Sequence, residues 1–142
     1  MRAPYTQLYL HIVWATWDRL ALVTDDLEQE VYAAIRAKCD ELKCPSISIG
    51  GMPDHVHVLV RLNSAVSVAD LVKGVKGSSS HLVTHKVDPL EFFKWQGGYG
   101  AFTLAKEDVS AVAAYIVRQK QHHASGNLLD EWEQTQTEYS EE

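Results

Sequence analysis

Between Cys44 and Leu62 the chain reads CPSISIGGMPDHVHVLVRL, two alternating apolar runs separated by a glycine and proline cluster. Ile47 and Ile49 mark a short first strand, and Gly50-Gly51 with Pro53 predict the turn that closes it. The run from His55 to about Leu62 is the second strand. Strand, breaker cluster, strand is the signature of a β-hairpin.

The segments outward from the hairpin are helical on both sides. Upstream, Leu27, Val31, Ala34, Ile35 and Leu42 recur at helical spacing, with Asp25 and Glu28 arranged as a capping box. Ahead of that helix, QLYLHIVWAT alternates cleanly, with Leu8, Leu10, Ile12 and Trp14 on one face and Tyr9, His11 and Val13 on the other. Downstream, Ser67 and Asp70 form a second capping box before the stripe Val68, Leu71, Val72, Val75 and Leu82. VDPLEFFKWQGGYGAFTL then reads as a loop followed by a strand from about Tyr99 to Leu104. A last helix is expected from about Lys106 to His123, ending before Ser125-Gly126. Strand, helix, strand, strand, helix, strand predicts a ferredoxin-like α+β fold with an antiparallel sheet, and the final helix is an addition to it. Residues 1–124 are expected to form one domain. Residues 125–142 are expected to be an acidic tail, mobile apart from a helical turn at Leu128–Trp132.

Composition bounds the function. The chain has 142 residues, 46% of them apolar and 23% charged, as in an ordinary globular domain. No apolar run reaches membrane-spanning length and no signal-peptide core opens the chain, so no membrane partner is expected. Cys39 and Cys44 make neither a metal-type spacing nor a disulfide framework, which fits a reducing cytosol. The net charge of -6 arises wholly from residues 130–142, whose six acids leave thirteen acidic and thirteen basic side chains elsewhere. Within the neutral body, Arg61 to Lys106 is the basic region, and a local basic face can hold phosphate despite a negative total.

Alternation turns Val56, Val58, Val60 and Leu62 toward a helix layer and His55, His57, Leu59 and Arg61 to the opposite face. Two imidazoles at i and i+2 either converge on one ion or are simply hydrogen-bonded on a half-solvated face. Arg61 beside them is a phosphate ligand by type, whereas Asp54 is expected to point away. On the last helix, Tyr115 and Gln119 are neighbours at i and i+4 and bring a phenol and an amide carbonyl to one place. Either is also an ordinary helix residue: a tyrosine at the core edge, a glutamine in solvent. A neutral oxygen ligand beside two imidazoles suits Mg²⁺ or Mn²⁺ gripping a phosphate oxygen.

In order and spacing, MPDHVHVLV, VKGVKGSSS, FKWQGGYGAFTL and YIVRQKQHH resemble the HUH single-tyrosine transposases of small insertion sequences, the IS200-like family. The likeness runs from LYLHIVWATW through His123, leaving only the acidic tail outside. It implies that His55, His57 and Gln119 are metal ligands, with Mg²⁺ or Mn²⁺ bound, and that Tyr115 is the nucleophile. It also implies cleavage and rejoining of single-stranded DNA near a hairpin through a 5′-phosphotyrosine, in the cytoplasm of a prokaryote. A homodimer follows from the same resemblance, with composite active sites if the tyrosine helix of one subunit completes the histidine site of the other. The positions suggested for DNA contacts are Arg61, Lys73, Lys76, His81, Lys86, Lys94 and Trp95, with Tyr99 and Phe102 as further stacking rings. His122, two helical turns along the same helix, is a candidate helper for Tyr115. The alternative function is a catalytically silent, dimeric hairpin-binding protein derived from such a transposase.

Overall fold

A computed structural model of the protein describes residues 2–87, 92–126 and 133–135. The expected turn at Leu128–Trp132 lies outside the described residues. Four strands, β1 (Tyr9–Ala15), β2 (Ser46–Met52), β3 (His55–Arg61) and β4 (Gly100–Leu104), form one sheet in the order β2-β3-β1-β4. Every neighbouring pair is antiparallel. The first two helices are α1 (Asp25–Glu41) and α2 (Val68–Leu82), and a short π-helical turn, Val83–Val87, extends α2. This is the ferredoxin-like arrangement that the sequence pattern predicts.

One face of the sheet carries the main core. Leu10, Ile12, Trp14, Val56, Val58 and Val60 pack against Val31 and Ile35 of α1 and Leu71, Val72 and Val75 of α2. Ser67 caps α2, its hydroxyl accepting from the Asp70 amide at 3.0 Å. The other capping box does not form: Thr24 precedes α1 as its N-cap, with no side-chain bond, and Asp25 is already helical.

Two local expectations are corrected. The hairpin turns at Pro53-Asp54, because Met52 pairs with His55 and both glycines lie inside β2, opposite His57 and Val56. Glycine there serves close packing rather than turning. A Cβ on Gly50 would overlap the Ile116 carbonyl oxygen, so this position lets a helix backbone rest directly on the sheet. The last helix is also not continuous. A 3₁₀ turn at Lys106–Asp108 leads into α3 (Val109–Val117), and α4 (Gln119–Ser125) follows a break at Arg118, where φ is -102° and ψ is 22°. Helix α3 covers the second sheet face, where Leu59, Val112 and Ile116 make a smaller core.

Candidate active site

The second sheet face collects the imidazoles. His55 and His57 both point there and are buried, as is His11 of β1, which alternation puts on the same side. Each histidine of β3 has a partner at Nδ1. The His57 Nδ1 lies 2.8 Å from Nε2 of His11, and the His55 Nδ1 lies 2.8 Å from the Asp54 carboxylate. Asp54 therefore does not point away as expected. It sits on the tight turn beside His55, and its other oxygen is 3.6 Å from the Arg19 guanidinium. Holding Nδ1 in this way aims both Nε2 atoms into one space.

Seated on Gly50, α3 brings the buried ring of Tyr115 to His57, edge-on with centroids 6.1 Å apart. Ser48 secures the helix from β2, its hydroxyl donating to the Ala113 carbonyl at 2.9 Å. Past the break, Gln119 is 1% exposed and its Oε1 lies 3.3 Å from His55 Nε2. The four residues singled out in the sequence thus meet within one chain. His122 lies with its ring stacked on Tyr115, centroids 4.6 Å apart. His123 adds a further imidazole near the site, Nε2 at 3.1 Å from Gln119 Oε1.

Sequence reading gave no role to Glu133. Its Oε1 lies 3.1 Å from His57 Nε2 and 3.2 Å from His55 Nε2, and its Oε2 accepts from the Tyr115 hydroxyl. Nothing in the local sequence distinguishes it from the other acids of the tail. His55, His57 and Glu133 each offer a ligand atom, all within 4.8 Å of one another. Two oriented imidazoles, a carboxylate and an amide oxygen are a donor set that fits a divalent cation.

Electrostatics follow from the burial. Desolvation works against a charged His55, but hydrogen bonds to Asp54 and Glu133 overcome it and raise the imidazole to about 9. Burial dominates at His57 and lowers it, the pull of Glu133 notwithstanding. Burial and the neighbouring His57 bring His11 down to about 3. Glu133 is held ionised: burial opposes its charge, yet the bonds to His55, His57 and Tyr115 win. These directions favour a His55 imidazolium paired with the Glu133 carboxylate, with His57 and His11 neutral.

The residues suggested for DNA contacts divide. Lys73, His81, Lys86 and Lys94 are exposed. Arg61 is exposed too, but at the far end of β3, roughly 20 Å along the strand from His55, donating to the Thr6 carbonyl. Lys76 is committed to structure, donating to the carbonyls of Gln96 and Gly98 at 2.8 Å each. Trp95 is buried, with Trp14 and Phe93 against it and its indole N–H on Ser79. Tyr99 packs on the main core, and Phe102 packs on His11. Among the described residues the indole at the surface is instead Trp17, 39% exposed, with the Lys94 ammonium 4.0 Å from its centroid.

The description of the IS200-like transposase family matches residues 4–119 of the chain. A curated relative, the ISDra2 transposase TnpA of Deinococcus radiodurans, is 24% identical over 118 residues, spanning 80% of this chain and 84% of its own. A crystal structure of a Deinococcus radiodurans R1 protein assigned as a transposase superposes with a TM-score of 0.68 at 22% identity, over 82% of this chain and 93% of the other. A REP-associated tyrosine transposase bound to a REP hairpin superposes with a TM-score of 0.60 at 16% identity, over 99% of this chain and 94% of that one. At these identities the superpositions establish the fold.

Proposed function

This chain belongs to the IS200-like transposase family, and we propose that it cleaves and rejoins single-stranded DNA beside a hairpin, using Tyr115 as nucleophile and His55, His57 and Gln119 as ligands of Mg²⁺ or Mn²⁺. The observation that carries this reading is the meeting of a tyrosine hydroxyl, two oriented imidazoles and an amide oxygen at one buried site. The hairpin is favoured as substrate because the REP-associated neighbour, of the same fold, is bound to one.

The Tyr115 phenol gives up its proton as its oxygen attacks the scissile phosphorus in line, which balances the proton taken up by the leaving oxygen. A phosphorus–oxygen bond to tyrosine forms, the bond to the 3′-oxygen breaks, and that oxygen leaves as a 3′-hydroxyl after taking a proton. The product is a 5′-phosphotyrosine, which conserves the energy of the phosphodiester, so a second 3′-hydroxyl can reverse the step and join strands. A bound divalent ion supplies positive charge to the scissile phosphate. The chain's own contribution is placement: α3 fixes the phenol against His57, and Asp54 and His11 fix the imidazoles.

Exposed Arg61, Lys73, His81, Lys86 and Lys94 supply charge for the DNA backbone. Trp17 beside Lys94 offers the stacking ring that Trp95 does not. Cys39 and Cys44 are free and buried, consistent with action in a reducing cytoplasm, and no described helix is long and apolar enough to cross a membrane.

The decisive test incubates end-labelled single-stranded hairpin DNA, taken from sequence flanking the gene, with the protein and Mn²⁺. Wild type is expected to yield a covalent protein–DNA adduct on a denaturing gel, and Tyr115→Phe to yield none. Persistence of cleavage in Tyr115→Phe would remove the nucleophile. Tight hairpin binding without an adduct in either protein would establish the silent hairpin-binding alternative.

A further inference from the structure

We propose that Glu133, carried back to the sheet by the C-terminal segment, is the anionic ligand of the divalent ion held by His55 and His57. The inference rests on the metal-centre reading above and adds to it a residue beyond the family match, which ends at residue 119.

Spacing is the first support. Glu133 Oε1 is 3.2 Å from His55 Nε2 and 3.1 Å from His57 Nε2, and Gln119 Oε1 is 3.3 Å from the same His55 nitrogen. Neighbouring ligands around an ion with bonds of about 2.1 Å stand roughly 3 Å apart. These atoms already keep that spacing. Charge is the second. Without Glu133 the cluster offers two imidazoles and an amide, all neutral as ligands, whereas Mg²⁺ and Mn²⁺ favour sites with carboxylate oxygen. Glu133 supplies the missing negative charge.

Placement is the third. Oε2 of Glu133 is engaged by the Tyr115 hydroxyl, with Gln119 Nε2 at 3.4 Å, which leaves Oε1 turned to the imidazoles. The segment itself has a seat on β4. The Gln134 carbonyl lies against Gly100, where a Cβ would collide with it, so the strand has no side chain where the tail crosses. One carboxylate then touches the ion with one oxygen and the nucleophile with the other. Four protein donors still leave coordination positions for phosphate oxygens.

A carboxylate that merely occupied the place of ion and phosphate would have the opposite effect, since its removal would strengthen metal binding. Mn²⁺ binding to the full chain, followed by electron paramagnetic resonance of the free ion, separates the two roles. Glu133→Gln is expected to lose tenfold or more in Mn²⁺ affinity with an unchanged circular dichroism spectrum, and Glu133→Asp to recover part of the loss. Affinity unchanged or higher in Glu133→Gln overturns the proposal, and the metal centre itself stands if His57→Ala abolishes binding. Equal Mn²⁺ binding by wild type and His57→Ala would sink the metal-centre reading and this proposal with it.

Discussion

His57 presents Nε2 to the site because a second buried imidazole, His11, deals with its other nitrogen. With its proton on Nε2, His57 faces Glu133 through that N–H, and His11 is then the donor to Nδ1. With a cation at Nε2, the proton must stand on Nδ1 and His11 must accept it. The neutral pair satisfies both arrangements, which a carbonyl or an ammonium in place of His11 would not. Replacing His11 by Phe leaves that nitrogen without a partner. We expect a loss of ~1–3 kcal/mol in denaturant unfolding and a fall of about tenfold or more in Mn²⁺ affinity. His55 gives a pH signature. Its folded value of about 9 stands above the ordinary 6.5, so its contribution is complete below 6.5 and is lost as pH rises through about 9. Thermal melts in chelator should therefore show stability declining across that window, and Asp54→Asn should flatten the decline. Sequence reading found the paired imidazoles and the phenol because alternation and helical spacing are local. It missed Asp54, since a turn residue is not bound by strand alternation. It also chose Trp95 over Trp17, because burial of an indole depends on packing from distant segments.

Hairpin, crossovers and the succession of elements were legible at the scale of elements, because apolar period changes from 2 to 3.6 at each boundary. The two glycines were not. Gly50-Gly51 has the composition of a turn, yet the pair sits within β2, where the missing Cβ admits α3. Local sequence cannot separate these uses, since the partner backbone at Ile116 is 66 residues away. The break at Arg118 was equally hidden, with neither proline nor glycine at it. Gly50→Ala tests the seat. The added methyl forces α3 off the sheet and carries Tyr115 from His57, so we expect a loss of ~2 kcal/mol or more and a still steeper loss of DNA adduct. Gly97→Ala, where a Cβ meets nothing within 4 Å, should leave both melting and adduct yield near wild type.

Across the whole molecule, the six acids after residue 129 look like a solvated appendage, and composition cannot reveal that Glu133 lies on the sheet. The contact between Glu133 and His57 spans 76 residues and follows no motif spacing. The same scale decides how many chains a site needs. Tyr115 and Gln119 approach the histidines of their own chain, with Gln119 Oε1 3.3 Å from His55 Nε2, so a dimer is not required to assemble the cluster. The break at Arg118 nevertheless falls between the phenol on α3 and the amide on α4, where a helix exchange between subunits would have to pivot. Complementation distinguishes the arrangements. A chain with Tyr115→Phe keeps its histidines and lacks the proposed nucleophile, whereas a chain with His57→Ala has the reverse defect. If each site is built from one chain, co-expressing the two variants yields no adduct above that of either alone. If the tyrosine helices cross between subunits, mixed dimers contain one intact site, and the adduct returns. We expect no recovery, read as labelled DNA retained on protein after denaturing electrophoresis. Its return would mean that the closed, single-chain site exchanges its helices when the enzyme assembles on DNA.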